Sequence, residues 1–313
     1  MPNVAIIGAG LIGRAWASIF ARAGWDVAVW DPVEAQQAAA LALIDAQLKD
    51  MAGTDMAFDI AAAHARVRMA VSLEDAVRAA EFVQECGPEL PDVKRAVFAA
   101  LDAAAPPDAV LASSTSAIVA SQFTEHLKGR ARCLVGHPVN PPHLVPVVEI
   151  CGAPWTSDAA KARAREVYAG IGQVPVTVQK EIDGFILNRL QAALLSEAFR
   201  LVQEGYVTPQ DLDHTVADGL GLRWSFMGPF ETIELNAPEG IADYCRRYAP
   251  FFRRTVASQP TAAVWDDANT QRVAAAWGPP PSAATVAAKS AWRDGRLAAL
   301  AAHRRGQRRA GST

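Results

Sequence analysis

The stretch "VAIIGAGLIGRAWASIFARAGWDVAVWD", from Val4 to Asp31, decides the fold of this 313-residue chain. It begins with a β-branched run that predicts a buried strand and continues into an alanine-rich segment that predicts a helix. Between the two, Gly8, Gly10 and Gly13 form the pattern G-x-G-x-x-G. A second β-branched run then ends on Asp31. A strand, a glycine turn, a helix and another strand in this order predict the first unit of a parallel α/β sheet.

The glycine pattern indicates a dinucleotide-binding loop, because each glycine has a physical task. The first permits a tight turn, the second lets a pyrophosphate approach the backbone, and the third lets the helix pack closely on the strand. Leu11 and Ile12 complete the loop at a helix N-terminus, where amides and the helix dipole favour phosphate. Asp31 can accept hydrogen bonds from an adenosine ribose and would repel a 2′-phosphate, which favours NAD over NADP. The alternative is that Asp31 is a helix cap, because "DPVE", Asp31–Glu34, also has the form of a capping box.

The rest of the first half alternates short strand-like runs with helical stretches, which is typical of βαβ crossovers. The predicted strands are Val4–Gly8, Val27–Asp31, Arg68–Ser72, Phe82–Cys86, Val110–Ser114, Arg132–Pro138, Val145–Ile150 and Val174–Gln179. Beyond them the strand-like runs end and helical periodicity takes over. We therefore predict an α/β protein. Residues 1–182 form a Rossmann-type domain with a mostly parallel sheet, and residues 183–313 form a smaller all-helical domain.

Composition excludes several classes of function. Hydrophobic residues make up 51% of the chain and the net charge is −3, so no broad basic surface for nucleic acid is expected. The basic run His303–Arg309 is interpreted as a solvated end. No apolar run approaches the length of a membrane span, and a cytoplasmic location is expected. The cysteines are scattered without metal-ligand spacing, so we expect reduced thiols and no metal site. They are Cys86, Cys133, Cys151 and Cys245.

Four polar residues lie in otherwise apolar surroundings: Ser116 in "SSTSAI", His137 and Glu149 in "GHPVNPPHLVPVVEI", and Asn188 in "DGFILNRL". Ser116 and His137 follow or end predicted strands, at the edge where an open α/β sheet binds its ligands. The prolines between His137 and Glu149 suggest a rigid return of the chain that brings these two side chains together on neighbouring strands. Each residue taken singly also fits a structural role.

Together the four residues suit the oxidation of an alcohol. A neutral histidine can take a hydroxyl proton near pH 7, and a carboxylate on its other ring nitrogen would set the tautomer and stabilise the imidazolium. Ser116 and Asn188 can hydrogen-bond the oxygen as it passes between alcohol and ketone.

These motifs resemble the 3-hydroxyacyl-CoA dehydrogenase superfamily, and within it the lambda-crystallin and L-gulonate 3-dehydrogenase branch. The resemblance covers nearly the whole chain and includes "GHPVNPP", "GFILNRLQ", "GLGLRWSFMGPFETIELNA" and "WRDGRL". It implies that His137 is the general base and Glu149 its partner. It also implies that Ser116 and Asn188 bind the substrate oxygen, that Asp31 selects NAD, and that the protein is a homodimer through its helical domain.

The resemblance further places Glu89 and Lys94, in "PELPDVKR", near the nicotinamide side of the cofactor; their alternative is a solvated helix start. The chain departs from the acyl-CoA enzymes at Ser114, where those enzymes commonly have Asn. This departure is expected to alter cofactor contacts slightly.

Charge favours a free hydroxy acid over a CoA thioester. In residues 33–65, Lys49 is the only Lys or Arg, and five acids give this segment a net charge of −4, which suits a polyanion poorly. The acids are Glu34, Asp45, Asp50, Asp55 and Asp59. Arg223, in "GLGLRWSFMGPF", can hold a carboxylate through two parallel hydrogen bonds, and in the gulonate branch the similar arginine binds substrate. Its alternative is a salt bridge between domains or subunits.

Gulonate or a related hydroxy acid therefore ranks first, a 3-hydroxyacyl-CoA second and carnitine third. Carnitine dehydrogenases also share "RWSFMG", and Trp224 and Phe226 could face a quaternary ammonium, although we interpret them as core aromatics. A crystallin-like structural protein is the non-enzymatic alternative. It would show loss of the base, its carboxylate or the oxygen contacts, and all four residues are present here.

Overall fold

The structure, a computed structural model, describes residues 1–52, 58–256 and 260–310, with side chains as far as Gln307. Asp55, one of the acids counted above, lies outside this description, and so do the side chains of Arg308 and Arg309 in the basic run.

Eight strands form one sheet in the order β3-β2-β1-β4-β5-β6-β7-β8. All neighbouring strands are parallel except β6 and β7, which are antiparallel. The strands are β1 (Asn3–Ile7), β2 (Asp26–Trp30), β3 (Val67–Met69), β4 (Phe82–Glu85), β5 (Val110–Ser113), β6 (Cys133–Pro138), β7 (Val147–Gly152) and β8 (Val174–Val178). The eight predicted strands and the mostly parallel sheet are confirmed, with strand ends that differ by at most three residues.

Helices connect the strands, and further helices follow the last strand. Those between the strands are α1 (Leu11–Arg22), α2 (Glu34–Ala52), α3 (Ile60–Ala65), α4 (Leu73–Val77), α5 (Pro91–Ala104), α6 (Ser121–Thr124) and α7 (Asp158–Gly170). Those after β8 are α8 (Leu187–Gln203), α9 (Pro209–His214), α10 (Gly221–Trp224), α11 (Pro229–Glu234), α12 (Gly240–Val256), α13 (Asp267–Trp277) and α14 (Ala283–Ala310). Several helices begin at a residue whose side-chain oxygen accepts a hydrogen bond from the first turn. These caps are Asp59, Ser72, Ser157, Thr208 and Asp266.

Both faces of the sheet are buried. One face packs against α1 and α7, where the rings of Trp16 and Tyr168 lie 5.4 Å apart. The other face packs against α5 and α6, where the rings of Phe98 and Phe123 lie 4.7 Å apart. Because both faces of the sheet are buried, the strand sequences are continuous apolar runs and do not alternate apolar with polar residues. It also makes polar side chains inside strands conspicuous.

The described residues divide into two compact units. The first combines Met1–Asn188 with the segment from Lys289 onward, and the second is Arg189–Ala288. The predicted division placed everything after residue 182 in one domain, whereas the last helix, α14, begins in the second unit and continues in the first. Helical periodicity predicts that α14 forms, but it does not say which unit its residues join. The second unit is helical throughout its described part, as predicted.

Two further findings concern membrane spans and cysteines. None of the helices in the described ranges combines the length and apolar composition that a membrane span requires. The four cysteines are free thiols, as expected from their spacing.

Candidate active site

The glycine loop between β1 and α1 has the geometry that its spacing predicts. Gly8 has a φ of +106°, and a Cβ there would lie 2.7 Å from the carbonyl oxygen of Cys86. A Cβ on Gly13 would lie 1.8 Å from the carbonyl oxygen of Gly8, so only glycine lets α1 begin this close to β1. A Cβ on Gly10 would meet nothing within 4 Å. The first and third glycines thus build the turn, and the second keeps the backbone open beside the N-terminus of α1, which begins at Leu11. This cradle fits a dinucleotide pyrophosphate.

Asp31 follows the last residue of β2 and joins that strand to the glycine loop. Its Oδ2 accepts a hydrogen bond of 2.6 Å from the amide of Ala9, and its Oδ1 accepts one of 2.8 Å from the amide of Val33. The second bond is of the kind that a helix cap makes, so the capping alternative holds for one oxygen. The capping box is not completed, because the amide of Asp31 donates to the side chain of Gln37 and not to that of Glu34. Each carboxylate oxygen keeps a lone pair that can accept from a ribose hydroxyl.

His137 and Glu149 meet as predicted. They are paired residues of the antiparallel strands β6 and β7, and His137 Nδ1 lies 2.8 Å from Glu149 Oε2. Both side chains are buried. The other carboxylate oxygen of Glu149 accepts hydrogen bonds from the amides of Ile186 at 2.9 Å and Leu187 at 3.0 Å, at the start of α8.

These contacts favour the ionised form of Glu149. Burial by itself would raise the pKa of this carboxyl group, but the hydrogen bonds from His137, Leu187 and Ile186 outweigh burial and hold the pKa below its ordinary value. An ionised carboxylate can only accept, so Nδ1 of His137 is the donor and Nε2 keeps its lone pair. The pair can therefore take up one proton at Nε2 and stabilise the imidazolium that results.

The turn before α8 was not recognised as part of the site from the sequence. Gly184 has a φ of +74° and Phe185 a φ of +48°, a left-handed conformation that a phenylalanine rarely adopts. Phe185 is fully buried, and its ring lies 5.5 Å from the ring of His137. The two left-handed residues immediately precede the amides of Ile186 and Leu187 that bind Glu149. The glycine before the helical run is the only signal for this turn in the sequence.

Ser116 lies on an exposed turn after β5, and this turn is held by two other predicted site residues. Asn188 Nδ2 donates to the carbonyl oxygen of Ser116 at 2.8 Å. Glu89 accepts from the Thr115 hydroxyl and, at 3.1 Å each, from the amides of Ser116 and Ala117. We call residues 113–117 the serine turn. Glu89 is therefore not just a solvated helix start, since its carboxylate organises the serine turn, and its predicted contact with the cofactor stays a prediction.

Lys94 departs from the alternative of a solvated helix start. Its side chain is 1% exposed, and its Nζ lies 3.0 and 3.2 Å from the two carboxylate oxygens of Glu85, whose side chain is also 1% exposed. The predicted contact of Lys94 with the cofactor stays a prediction. The resemblance placed Lys94 near the cofactor, but the sequence does not say on which side of α5 its long side chain is buried.

Ser114 also has an unexpected environment. Its hydroxyl accepts from Gln84 Nε2 at 2.7 Å and from Trp16 Nε1 at 3.2 Å, while Tyr168 donates to Gln84 Oε1 at 2.6 Å. Ser114 thus belongs to a polar network beneath the sheet edge, and the expected change in cofactor contacts at this position stays a prediction. Cys86 Sγ lies 3.2 Å from the same hydroxyl, and burial raises the pKa of this thiol to about 12.

The remaining predicted residues lie in the second unit. Arg223 is an exposed residue of α10, and no carboxylate of the described part of that unit pairs with its guanidinium. Trp224 and Phe226 are 40% and 58% exposed, so the interpretation of them as core aromatics is wrong. Trp224 ends the four-residue helix α10, which is too short to bury it, and Phe226 lies beyond the end of that helix.

Comparison with known proteins identifies two family domains. Residues 3–182 match the 3-hydroxyacyl-CoA dehydrogenase NAD binding domain, and residues 184–274 match the 3-hydroxyacyl-CoA dehydrogenase C-terminal domain.

Two groups of relatives are similar over most of their length. Lambda-crystallin from Oryctolagus cuniculus is 40% identical over 304 residues, which cover 96% of this chain and 95% of that protein. L-carnitine dehydrogenase from Streptomyces coelicolor is 41% identical over 238 residues, which cover 76% of this chain and 74% of that protein.

Among solved structures, the NAD⁺-dependent 5-formyl-3-hydroxy-2-methylpyridine 4-carboxylic acid 5-dehydrogenase superimposes with a TM-score of 0.84 at 27% identity. It covers 96% of this chain, which in turn covers 97% of that chain. The 3-hydroxybutyryl-CoA dehydrogenase of Escherichia coli gives a TM-score of 0.67 at 27% identity, over 84% of this chain and 55% of that chain. The Rossmann-type domain with its NAD cofactor is thereby confirmed, together with the helical region that follows.

The three glycines are expected to separate folding from cofactor binding. Gly13→Ala should lower the free energy of unfolding by about 3 kcal/mol, because its Cβ has no room beside Gly8. Gly10→Ala should leave thermal stability nearly unchanged, since its φ of −68° suits alanine and its surroundings are open. It should weaken NADH binding by about tenfold or more, measured by fluorescence titration. Wild-type affinity in Gly10→Ala would contradict the approach of a pyrophosphate at this point.

Glu149→Gln is expected to change how stability depends on pH. At pH 7 the variant should unfold more easily by about 1–3 kcal/mol, because a charged acceptor of three hydrogen bonds is lost. Since the pKa of Glu149 is lowered by folding, its contribution is present above the ordinary carboxyl pKa and is lost as the pH falls through the folded-state value. The difference between wild type and variant should therefore shrink between about pH 5 and pH 3 in urea unfolding. Glu166→Gln, on the exposed side of α7, is the control, and a difference that does not vary with pH would refute the assignment.

Proposed function

The chain belongs to the 3-hydroxyacyl-CoA dehydrogenase family, and on this premise we propose that it oxidises the 3-hydroxyl group of a small L-3-hydroxy acid to the 3-keto acid. L-Gulonate or a close relative is the preferred substrate, and NAD is the cofactor. The observation that carries the proposal is the buried pair of His137 and Glu149, joined at 2.8 Å, beside the serine turn and Asn188.

The residues at the carboxyl edge of the sheet have distinct tasks in the proposed reaction. His137 Nε2 takes the proton of the substrate hydroxyl, and the charged Glu149 stabilises the imidazolium. The Ser116 hydroxyl makes no hydrogen bond to any described residue, so it can donate to the substrate oxygen, and Asn188 sits next to it. Gly10, the N-terminus of α1 and Asp31 would hold NAD, which when bound accepts the hydride from the carbinol carbon. One hydride and one proton leave the alcohol, and the carbonyl forms.

The charge of α2 supports a free acid over a CoA thioester. Lys49 is the only Lys or Arg of residues 33–65, and its ammonium lies 2.6 Å from Asp45. That exposed pairing partly offsets the single Lys or Arg charge that could meet the phosphates of CoA. Asp59 is engaged as the cap of α3, whereas Glu34 and Asp50 keep the segment acidic.

Arg223 supports the same choice of substrate. Its guanidinium is exposed and has no carboxylate partner in the described part of its own unit, so it can bind a substrate carboxylate with two parallel hydrogen bonds. A thioester offers no such partner. Binding at this residue is part of the proposal.

Carnitine oxidation is the second candidate, and one observation favours it. Trp224 and Phe226 next to Arg223 are exposed, and an aromatic face attracts a quaternary ammonium. L-Carnitine dehydrogenases are also among the 40%-identical relatives. Carnitine carries a carboxylate as well, so Arg223 suits both substrates, and only the aromatic residues distinguish them.

We further propose that the protein is a homodimer through its helical unit. Large apolar side chains of this unit are exposed in the single chain, more than a monomeric surface usually shows. They include Leu190, Tyr206, Leu222, Phe230, Leu235, Phe251 and Phe252. A two-fold pairing of this face would remove much of that apolar surface from water.

The substrate proposal predicts the outcome of one assay. NADH formation is measured with L-gulonate, L-3-hydroxybutyrate, L-carnitine and L-3-hydroxybutyryl-CoA, each with NAD and NADP. We expect the highest kcat/KM with a free hydroxy acid and NAD. Arg223→Ala should lower it by about 100-fold, the effect of losing a charged hydrogen-bonded pair, and Arg223→Lys should restore only part of it.

One control variant and three alternative outcomes accompany this assay. His137→Gln should abolish turnover and leave NADH binding nearly intact. Preference for the CoA thioester would overturn the charge argument, and preference for carnitine would favour the second candidate. NADH binding by wild type without turnover of any substrate would favour a crystallin-like structural role.

The dimer proposal predicts a mass of two chains in size-exclusion chromatography with light scattering at micromolar concentration. Phe251→Asp, a charge on the exposed apolar face of α12, should shift the protein toward the monomer. The matched change Leu43→Asp, on an exposed position of α2 in the first unit, should not. A wild-type monomer under these conditions would refute the dimer.

A further inference from the structure

A buried polar network that the proposed reaction does not use lies in the interior of the first unit. Its centre is Gln84, a fully buried residue of β4. Gln84 Nε2 donates to the hydroxyl of Ser114 at 2.7 Å and to the carbonyl oxygen of Gly136 at 3.4 Å. Its Oε1 accepts from the hydroxyl of Tyr168, on α7, at 2.6 Å. A buried carboxamide is stable only where its polar atoms are paired, so these contacts hold Gln84 in one place.

The orientation of the Gln84 carboxamide follows from the chemistry of its partners. A backbone carbonyl can only accept, so the amide nitrogen of Gln84 must face Gly136. The carboxamide oxygen then faces Tyr168, and the phenol must donate. Burial raises the pKa of Tyr168 well above its ordinary value, which keeps the phenol proton in place. Tyr168 therefore fixes which way the carboxamide of Gln84 points.

The absence of a side chain at Gly136 makes room for this tyrosine. A Cβ on Gly136 would lie 1.9 Å from the Tyr168 hydroxyl oxygen, so no larger residue fits between β6 and α7 at this point. The ring of Tyr168 packs against two aromatic neighbours, with centroid distances of 5.4 Å to Trp16 and 5.3 Å to Phe82. Gly136 immediately precedes His137 in β6. The tyrosine hydroxyl thus reaches the strand that carries the predicted base.

Ser114 connects the network to the serine turn, of which it is a member. Its hydroxyl accepts from Gln84 Nε2 and, at 3.2 Å, from Trp16 Nε1, and neither of these groups can accept in return. Both lone pairs of the hydroxyl are thereby used, so its hydrogen is left for Cys86 Sγ, 3.2 Å away. Because all the bonds of this hydroxyl are assigned, the start of the serine turn has a fixed position relative to β4.

The network therefore joins two segments of the site that must meet at one substrate oxygen. Under the proposed function, Ser116 hydrogen-bonds that oxygen and His137 takes its proton. Ser116 lies two residues after Ser114. His137 lies one residue after Gly136. The side chain of Gln84 contacts both segments, so a change in its hydrogen bonds is expected to change their separation.

We propose that Gln84 is a positioning residue that sets the separation between Ser116 and His137. Tyr168 acts through Gln84 by fixing the orientation of its carboxamide. Gln84 and Tyr168 are both fully buried, so neither touches a substrate. For its kinetic readout this inference rests on the proposed function. The crystal structures of variants test it without any substrate.

The experiment is a double-mutant cycle of Gln84→Met, Tyr168→Phe and the double variant. Methionine keeps the unbranched shape of glutamine without its hydrogen bonds, and phenylalanine keeps the aromatic ring. Gln84→Met leaves the buried Tyr168 hydroxyl without an acceptor. The double variant removes that hydroxyl as well, so it guards against a single variant that does not fold.

Each variant is assayed for kcat, KM, NADH affinity and thermal midpoint, and the separation of Ser116 Oγ and His137 Nε2 is measured in its crystal structure. Gln173→Met is the matched control. Gln173 is also buried, but its carboxamide oxygen accepts no hydrogen bond from any described residue. This control should change neither kcat nor the separation.

The positioning role predicts a large kinetic effect of Gln84→Met with little effect on cofactor binding. The variant should lower kcat by about 10- to 100-fold, as expected when a reacting group is misplaced by up to about 1 Å. The separation of Ser116 Oγ and His137 Nε2 should change by about 0.5 Å or more. NADH affinity should change by no more than about twofold. Tyr168→Phe by itself should lower kcat by about three- to tenfold, the effect of losing one hydrogen bond.

The double variant separates positioning from stability. In the Gln84→Met background, Tyr168→Phe should raise the thermal midpoint by about 2–4 °C, because it removes a buried hydroxyl that has no acceptor. The same change should leave kcat within about twofold of the Gln84→Met value, since Tyr168 acts only through Gln84. A purely structural network would instead make kcat follow the thermal midpoint.

Four results would overturn the inference. Unchanged kcat in Gln84→Met would show that the reaction does not depend on the network. Recovery of kcat together with the thermal midpoint in the double variant would make the network purely structural. An unchanged separation of Ser116 and His137 would show that Gln84 does not set it. An equal loss of kcat in Gln173→Met would make the effect a general one of buried glutamines. If the wild type turns over no hydroxy acid, the proposed function fails, while the crystal structures still decide this inference.

Discussion

A carboxylate buried in its charged form must be surrounded by hydrogen-bond donors, and this constraint organises the carboxyl edge of the sheet. Two buried carboxylates and the half-buried Asp31 meet it there with backbone amides from turns that would otherwise be independent. Asp31 accepts from the glycine loop, Glu85 from the turn after β4, and Glu149 from the start of α8. Each bond that satisfies a charge also fixes a turn. The geometry of the site is therefore a consequence of how its charges are buried.

The single antiparallel pairing in the sheet has a comparable effect. Parallel strands place their carboxyl ends together, so successive crossovers bring the glycine loop and the serine turn to one edge. Reversal of the chain between β6 and β7 then places Glu149 directly opposite His137. The left-handed turn at Gly184 and Phe185 directs the amides before α8 to the same carboxylate. These contacts fix both carboxylate oxygens of Glu149, one on His137 and the other on the amides before α8.

The relatives explain why the reaction type is easier to assign than the substrate. Lambda-crystallins and L-carnitine dehydrogenases are similar to this chain at about the same identity, 40% and 41%. The residues proposed to hold the cofactor and take the proton lie in the first unit, and those proposed to bind the substrate, Arg223 and its aromatic neighbours, lie in the second. The first set is constrained by buried charge and backbone contact, whereas the second is exposed and free to differ. Under the proposed function, discrimination between hydroxy acids would depend on a few exposed side chains.

The sequence by itself determined the strands, the glycine loop and the pairing of His137 with Glu149, because burial on both faces and turn chemistry leave periodic, local signals. It also placed Ser116 at the edge of the sheet where strands end, whereas the contact of Asn188 with the Ser116 carbonyl oxygen emerged only from the tertiary structure. Tertiary structure alone decided the environments of Lys94 and Ser114, the left-handed turn at Phe185, and the unit that α14 joins. A long side chain can reach either solvent or the core from the same position in a helix. Which of the two it reaches depends on partners distant in sequence, such as Glu85 for Lys94 and Gln84 for Ser114.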